Sequence, residues 1–133
     1  MRDFLGKERR LPGCRNFRRV DVWKPTLLDL MIARIWHGWT KPADAKAYEN
    51  MLRDEILPGI ARRNIPGYRG AELFIREDGD EVQFVTLLRF DSMEAVKEFA
   101  GTDEGRPVIY PKAEPLLTRM DERSQHYRIV PLD

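Results

Sequence analysis

The sequence has few of the residues that mark secreted, metal-binding or membrane proteins. Its 133 residues include one cysteine, Cys14, which cannot form an internal disulfide bond, and two histidines, His37 and His126. No apolar run approaches the roughly 20 residues of a membrane-spanning helix, and the N-terminus lacks a secretory signal. Positive and negative charges nearly cancel, with a formal net charge of +1. We therefore expect a cytoplasmic protein with no nucleic-acid or membrane partner.

The chain divides into two parts of different character near Met31. Residues 1–30 contain eight basic and four acidic residues, whereas residues 31–133 contain fifteen and eighteen. Proline, glycine and asparagine interrupt the first part, and it shows no sustained periodicity. We expect a loosely ordered arm over 1–30 and one domain over 31–133. The arm is either an upstream extension, with Met31 as the native start, or a docking arm, or a basic tail for RNA or membrane.

Local patterns in the second part predict four strands and two helices. The apolar alternation of 31–36, closed by Gly38, predicts a first strand, and an amphipathic helix follows from Thr40. Leu57-Pro58-Gly59 is expected to interrupt or kink this helix near Ile56. Asp91 is the predicted N-cap of a second helix that ends at Gly101. Residues 114–120 are expected to form about two helical turns. The alternating segment 125–130 predicts the last strand.

A hairpin over residues 68–90 is the clearest local signal. Asp78-Gly79 lies between two alternating runs and predicts a two-residue turn. This loop places Ile75 opposite Val82, with the neighbouring pairs following in step, and it gives both strands one apolar face.

The order strand, helix, strand, strand, helix, strand predicts an α+β fold. It is the βαββαβ pattern of a ferredoxin-like sandwich, with a four-stranded antiparallel sheet and both helices on one face. The other face exposes roughly 400 Å² of semi-polar sheet. Because monomers seldom expose such an area, we expect a homodimer that pairs sheet to sheet and encloses a cavity.

Five segments carry a resemblance to a known family. They are RIWHGWTKPADAKAYENMLRDEILPG, IPGYRGAELF, EVQFVTLLRFDSMEAVKEFAG, VIYPKAEPLL and HYRIV. Their order and spacing resemble the antibiotic biosynthesis monooxygenase-like family of dimeric α+β barrels. The resemblance implies a substrate pocket between sheet and helices, and oxidation of an electron-rich aromatic or quinol-type metabolite without a cofactor.

Such chemistry needs a group that handles a proton, cations that stabilise an oxyanion, and aromatic walls. If Ala33 and Ile35 face the helices, Arg34 and Trp36 point into the cavity between the sheets, and strand pairing brings Trp36 close to His126. The candidate catalytic residues are therefore His126, Trp36 and Arg34. The candidate substrate-binding residues are Trp39, Phe74, Gln83, Arg89, Tyr110 and Arg128.

Other functions compete with this hypothesis. Strand parity places His37 and His126 on opposite faces, which argues against a shared metal site. Haem-degrading relatives carry a histidine on the second helix, and residues 92–100 contain none. A barrel that binds a small molecule or serves a stress response without catalysis, or an isomerase or decarboxylase with the same pocket, remains an alternative.

Overall fold

The computed structural model describes residues 31–132, so the predicted arm and the question of the native start lie outside the described residues. Its strands are β1 (Ile32–Thr40), β2 (Tyr68–Asp78), β3 (Glu81–Phe90), β4 (Leu117–Met120) and β5 (Gln125–Arg128). Its helices are α1 (Pro42–Met51), α2 (Leu57–Arg62) and α3 (Met93–Ala100), with a π-helical segment (Leu52–Ile56) and a 3₁₀ turn (Glu114–Leu116). None of these helices is long and apolar enough to cross a membrane.

The strands form one antiparallel sheet in the order β2-β3-β1, and β1 pairs on its outer edge with both β4 and β5. This order confirms the predicted ferredoxin-like arrangement. The fourth position is divided between two short strands, whereas the sequence predicted one. Residues 117–120 belong to this sheet edge, so the two helical turns predicted for 114–120 are wrong beyond the 3₁₀ turn.

The first helix changes its hydrogen-bond pattern before Pro58. The Leu57 amide donates to the Leu52 carbonyl, five residues back, instead of to the residue four back. Proline lacks an amide hydrogen for the next α-helical bond, and the wider turn accommodates this loss. The predicted kink is therefore a π-helical segment. Tyr48, Leu52, Ile56 and Ile60 follow one another at intervals of four residues, and all four lie on the buried face of these helical segments.

The hairpin turn lies one residue later than predicted. Gly79 takes the first turn position with φ +68°, and Asp80 follows it. Ile75 consequently pairs with Phe84 and not with Val82, a shift of two residues. The predicted register is wrong, but because side chains alternate with a period of two, each one stays on its predicted face.

The core lies between the helices and one face of the sheet. The Tyr48 ring meets Phe84 edge-on at 4.8 Å between centroids, and Phe90 lies 5.8 Å from Phe99. Helix α3 is capped by the Ser92 hydroxyl, which accepts from the Ala95 amide at 3.1 Å. Asp91, the predicted cap, instead forms an ion pair with Arg69 at 2.6 Å.

Candidate functional site: a buried arginine between sheet and helices

The pairing of β1 decides which side chains face the helices. Arg34 pairs with Leu88, and Gly38 pairs with Phe84, both of which belong to the core face of β3. Residues that are directly opposite in an antiparallel pair lie on the same face. Arg34 and Trp36 therefore face the helices, and Ala33 and Ile35 face away. The sequence predicted that Ala33 and Ile35 face the helices, and the structure shows the reverse.

Arg34 is buried on this core face, with 3% of its surface exposed. Its Nη1 donates to the Glu104 carbonyl at 2.5 Å, and its Nη2 donates to the Arg106 carbonyl at 2.7 Å. The guanidinium also lies 5.3 Å from the centre of the Phe99 ring. Burial lowers the pKa of Arg34 to about 10, which leaves it charged at neutral pH.

His126 lies behind Arg34, at the opposed position on β5. Its Nε2 is 3.0 Å from Arg34 Nη1. Because arginine can only donate, we assign Nε2 as the acceptor and place the imidazole hydrogen on Nδ1. Burial, and after it the charge of Arg34, lowers the pKa of His126, so the ring is neutral at pH 7. The sequence placed Trp36 close to His126; the residue directly opposite His126 is Arg34, and Trp36 lies two positions further along the same face of β1.

A cavity of about 60 Å³ lies in front of Arg34, between the sheet and the helices. Its aromatic and polar wall consists of Arg34, Trp36, Tyr48, Thr86, Phe99, Tyr110 and Ser124, and its aliphatic wall includes Leu52, Ile56, Leu88 and Val108. Burial raises the pKa of Tyr48 to about 12 and also raises that of Tyr110, so both hydroxyls are neutral. His126 is not part of the wall. The cavity lies between the sheet and the helices of one chain, where the family resemblance implied it, and not between two sheets, where the strand pattern placed it.

Trp36 is held flat along β1 by two features. Its Nε1 donates to the Asp121 carbonyl at 3.1 Å. Its six-membered ring lies over Gly38, where a side chain would meet Trp36 Cζ3 at 2.9 Å and Cη2 at 3.0 Å. Glycine at this position therefore makes room for the indole that walls the cavity.

Comparison with models of protein families and with curated proteins gives no match. Comparison with solved structures does. A candidate antibiotic biosynthesis monooxygenase from Caulobacter crescentus CB15 has a TM-score of 0.56 at 23% sequence identity, over 78% of this chain and 93% of that chain. A second one, from Bacillus cereus, has a TM-score of 0.56 at 14% identity, over 78% and 97% of the two chains. The chain has the antibiotic biosynthesis monooxygenase-like fold. A heme-degrader from Mycobacterium tuberculosis, with two hemes bound in its active site, shows this fold at a TM-score of 0.50 and 21% identity, over 77% and 97%.

Within this monooxygenase-like fold, the predicted site residues are divided between the two faces of the sheet. Arg34, Trp36 and Tyr110 line the cavity. The sheet face that points away from the helices, here called the opposite face, carries four other predicted residues. By their pairing in the sheet they are Trp39, Phe74, Gln83 and Arg89. Gln83 accepts from Arg76 at 2.8 Å, and Arg89 pairs with Glu72 at 3.4 Å. Arg128 lies on the helix side of β5 opposite Ile32, outside the cavity wall.

His37 lies on the face away from the helices, so it and His126 are on different faces, as parity predicted, although each lies on the face expected for the other. The Nδ1 and the backbone amide of His37 both bond Asp121 Oδ2, at 2.7 and 2.9 Å. Asp121 thus fixes the end of β4 to the middle of β1, and its carbonyl holds Trp36 on the other face. The residues of 31–132 contain no cluster of three or more metal-binding side chains.

Sequence reasoning missed several members of this site, and Tyr48, Phe99 and Asp121 are examples. Tyr48 and Phe99 carry the spacing of core residues, and nothing in that pattern distinguishes a cavity wall from a packed core. Asp121 follows a strand that the sequence did not predict. The carbonyls that hold Arg34 belong to backbone, and backbone acceptors leave no signal in the residue types.

Proposed function

We propose that this chain is a monooxygenase that needs no tightly bound cofactor and acts on an aromatic or quinol-type small metabolite. The observation that carries the proposal is the buried Arg34 guanidinium at the end of an aromatic-walled cavity. A cation in a site of low dielectric stabilises the phenolate or enolate form of a substrate, and this electron-rich anion is the form that reacts with oxygen. The neighbours of this fold that are named as candidate monooxygenases support the same class.

The reaction needs no external reductant. In an anthrone-type substrate, one atom of O₂ replaces the two hydrogens of the ring methylene as a carbonyl oxygen, and the other atom leaves as water with those hydrogens. In this proposal Arg34 holds the substrate oxyanion, while Trp36 and Tyr110 form the aromatic wall. His126 positions Arg34, because its acceptor nitrogen is bonded to that guanidinium.

Binding without catalysis is the second candidate function, and one observation favours it. The only imidazole beside the cavity, among residues 31–132, uses its Nε2 lone pair on Arg34. A substrate proton could reach that nitrogen only if Arg34 moved. A small-molecule-binding barrel needs no such base.

Oxygen uptake with a panel of hydroquinones and anthrones distinguishes the two functions. We expect uptake above the uncatalysed rate, and a loss of at least tenfold in Trp36→Phe and Arg34→Met. Trp39→Phe makes the same change on the opposite face and should retain uptake. No uptake with any substrate, together with thermal stabilisation by the same compounds, would replace catalysis with binding.

We also propose that a second copy covers the opposite face of the sheet. Phe74 and Tyr127 on this face are 49% and 51% exposed. Exposed aromatic side chains on an uncovered sheet are typical of an interface. Light scattering at micromolar concentration should give twice the mass of the chain, 15.6 kDa. Phe74→Glu should reduce that mass, and a monomeric wild-type protein would exclude this interface.

A further inference from the structure

Two of the hydrogen-bond donors of Arg34 have no partner among residues 31–132. A guanidinium has five N–H donors. Nη1 uses both of its hydrogens, on the Glu104 carbonyl and on His126, and Nη2 uses one on the Arg106 carbonyl. The Nε hydrogen and the second Nη2 hydrogen remain. These belong to adjacent nitrogens, and such a pair matches the two oxygens of a carboxylate.

The positive charge of Arg34 is likewise uncompensated within the described part of the chain. Burial is the cause of its lowered pKa, and no acidic side chain acts to raise it. The three atoms that accept from it are two carbonyl oxygens and a neutral imidazole. A buried charge that has no counter-ion is costly, and an anion bound beside it would remove that cost.

A second polar group in the cavity wall also lacks a protein partner. Tyr48 is 3% exposed, and its hydroxyl makes no hydrogen bond with any residue of 31–132, although its ring packs on Phe84. An apolar cavity with a few such polar groups is typical of a small-molecule site.

We propose that the ligand of this cavity is an aromatic carboxylate, whose two oxygens accept from Arg34 Nε and Nη2. This inference rests on the proposed function for the identity of the pocket, and it takes the group that Arg34 holds to be the carboxylate of an acidic substrate in place of its reacting oxyanion. The carboxylate group then lies inside the cavity wall, on the side that carries the Tyr48 hydroxyl.

The body of the ligand extends toward an outer groove. The cavity beside Arg34 has about 60 Å³, enough for a carboxylate group and too little for a ring. A groove of about 410 Å³, lined by residues that include Met51, Gly59 and Lys112, shares Ile56, Val108 and Tyr110 with the cavity. A groove of this volume lies in the range of ligand sites, which is roughly 300–1,000 Å³. In this proposal the ring lies against the residues that line both spaces and extends from the cavity into the groove.

Binding of benzoate, measured by calorimetry with the full chain, tests this assignment. Benzamide has nearly the same shape without the charge. We expect benzoate to bind and benzamide to bind roughly tenfold or more weakly, because a hydrogen bond to a charged group contributes that difference. Equal affinity for the two compounds, or no binding of benzoate, would overturn the proposal.

Variants of Arg34 and Tyr48 test where the carboxylate binds. Arg34→Met should weaken benzoate binding roughly 10- to 100-fold, and Arg34→Lys should weaken it less, because a lysine keeps the charge without the paired donors. Arg62→Met, an exposed arginine on α2, is the matched control and should leave affinity unchanged. If Arg34→Met does not fold, Tyr48→Phe keeps the test open, and it should weaken benzoate about threefold or more. Unchanged affinity in Arg34→Lys and Tyr48→Phe together would place the site elsewhere.

Benzoate is not oxidised by the proposed reaction, so its binding is independent of turnover. Benzoate binding that depends on Arg34, without oxygen uptake for any substrate, would refute the monooxygenase and retain the carboxylate site. Oxygen uptake with neutral quinols that benzoate does not inhibit would refute the carboxylate site and retain the monooxygenase.

Discussion

Replacing Gly38 by alanine is expected to displace Trp36 from the cavity wall. The new Cβ would lie 2.9 Å from Trp36 Cζ3, 3.0 Å from Trp36 Cη2 and 3.0 Å from Leu117 Cδ2. Carbon atoms in contact are normally about 3.5–4.0 Å apart, so each contact is too short by about half an ångström or more. Leu117 can rotate away. The indole cannot slide along the strand without breaking its bond to the Asp121 carbonyl.

The net cost follows from two opposing terms. Overpacking of this kind costs about 1–3 kcal/mol. Alanine restricts the unfolded chain more than glycine does, which returns about 0.5–1 kcal/mol. The two terms leave about 0–2.5 kcal/mol, so we expect Gly38→Ala to lower the free energy of unfolding by about 1 kcal/mol, measured by urea titration with tryptophan fluorescence.

A double-mutant cycle identifies the indole as the cause. Phenylalanine lacks the Cζ3 and Cη2 atoms that collide with the new side chain, so Gly38→Ala should cost about 1 kcal/mol less in a Trp36→Phe background. Gly59→Ala is the matched control, because the nearest atom to its new Cβ is Arg62 Nη2 at 3.9 Å. A helical glycine replaced in open space should stabilise the protein by about 0.5–1 kcal/mol. An equal cost of Gly38→Ala in both backgrounds would refute the steric argument.

Two further predictions concern His126 and Asp121. The pKa of His126 is lowered from its ordinary 6.5, mainly by burial, so as the pH falls below 6.5 the unfolded chain takes up the proton before the folded chain does. The stability that neutral His126 contributes is full above pH 6.5 and declines between pH 6.5 and the lowered pKa of the folded state. Urea midpoints should therefore fall less over that interval in His126→Gln than in wild type. Equal dependence of the midpoint on pH in the two proteins would contradict the environment assigned to this ring. Asp121→Ala removes the acceptor of the His37 ring and amide at a half-buried site and should cost about 1–2 kcal/mol of unfolding free energy. Because Trp36 bonds the Asp121 backbone carbonyl, its fluorescence should change little, and a large spectral shift would show that the carboxylate also holds the indole.

The strands and their faces in the hairpin were predictable because apolar alternation survives any shift of two residues. For the same reason, alternation could not choose between pairing Ile75 with Val82 and pairing it with Phe84. The choice depends on which residue opens the turn, and Gly79 adopts φ +68° there at little cost. The predicted register placed Asp78 in that position instead.

The faces of β1 were not predictable by the same rule. Ala33 and Ile35 are apolar and Arg34 is charged, so hydrophobic pattern alone turns Arg34 outward. The pairing of Arg34 with Leu88 and His126 turns it inward. A residue that breaks the hydrophobic pattern of its strand, in a fold that otherwise follows that pattern, commonly has a functional role.

The fold itself does not require a charge at this position on β1. The Glu104 and Arg106 carbonyls that Arg34 holds belong to half-buried and exposed residues, where water can replace a lost donor. A buried ion can often be exchanged for an apolar side chain of similar volume with little loss of stability. Arg34 therefore has a desolvation cost that an apolar side chain at this position would not have. A ligand-binding role explains this arrangement, because the desolvation cost that the buried guanidinium adds to folding is offset when an anion binds beside it.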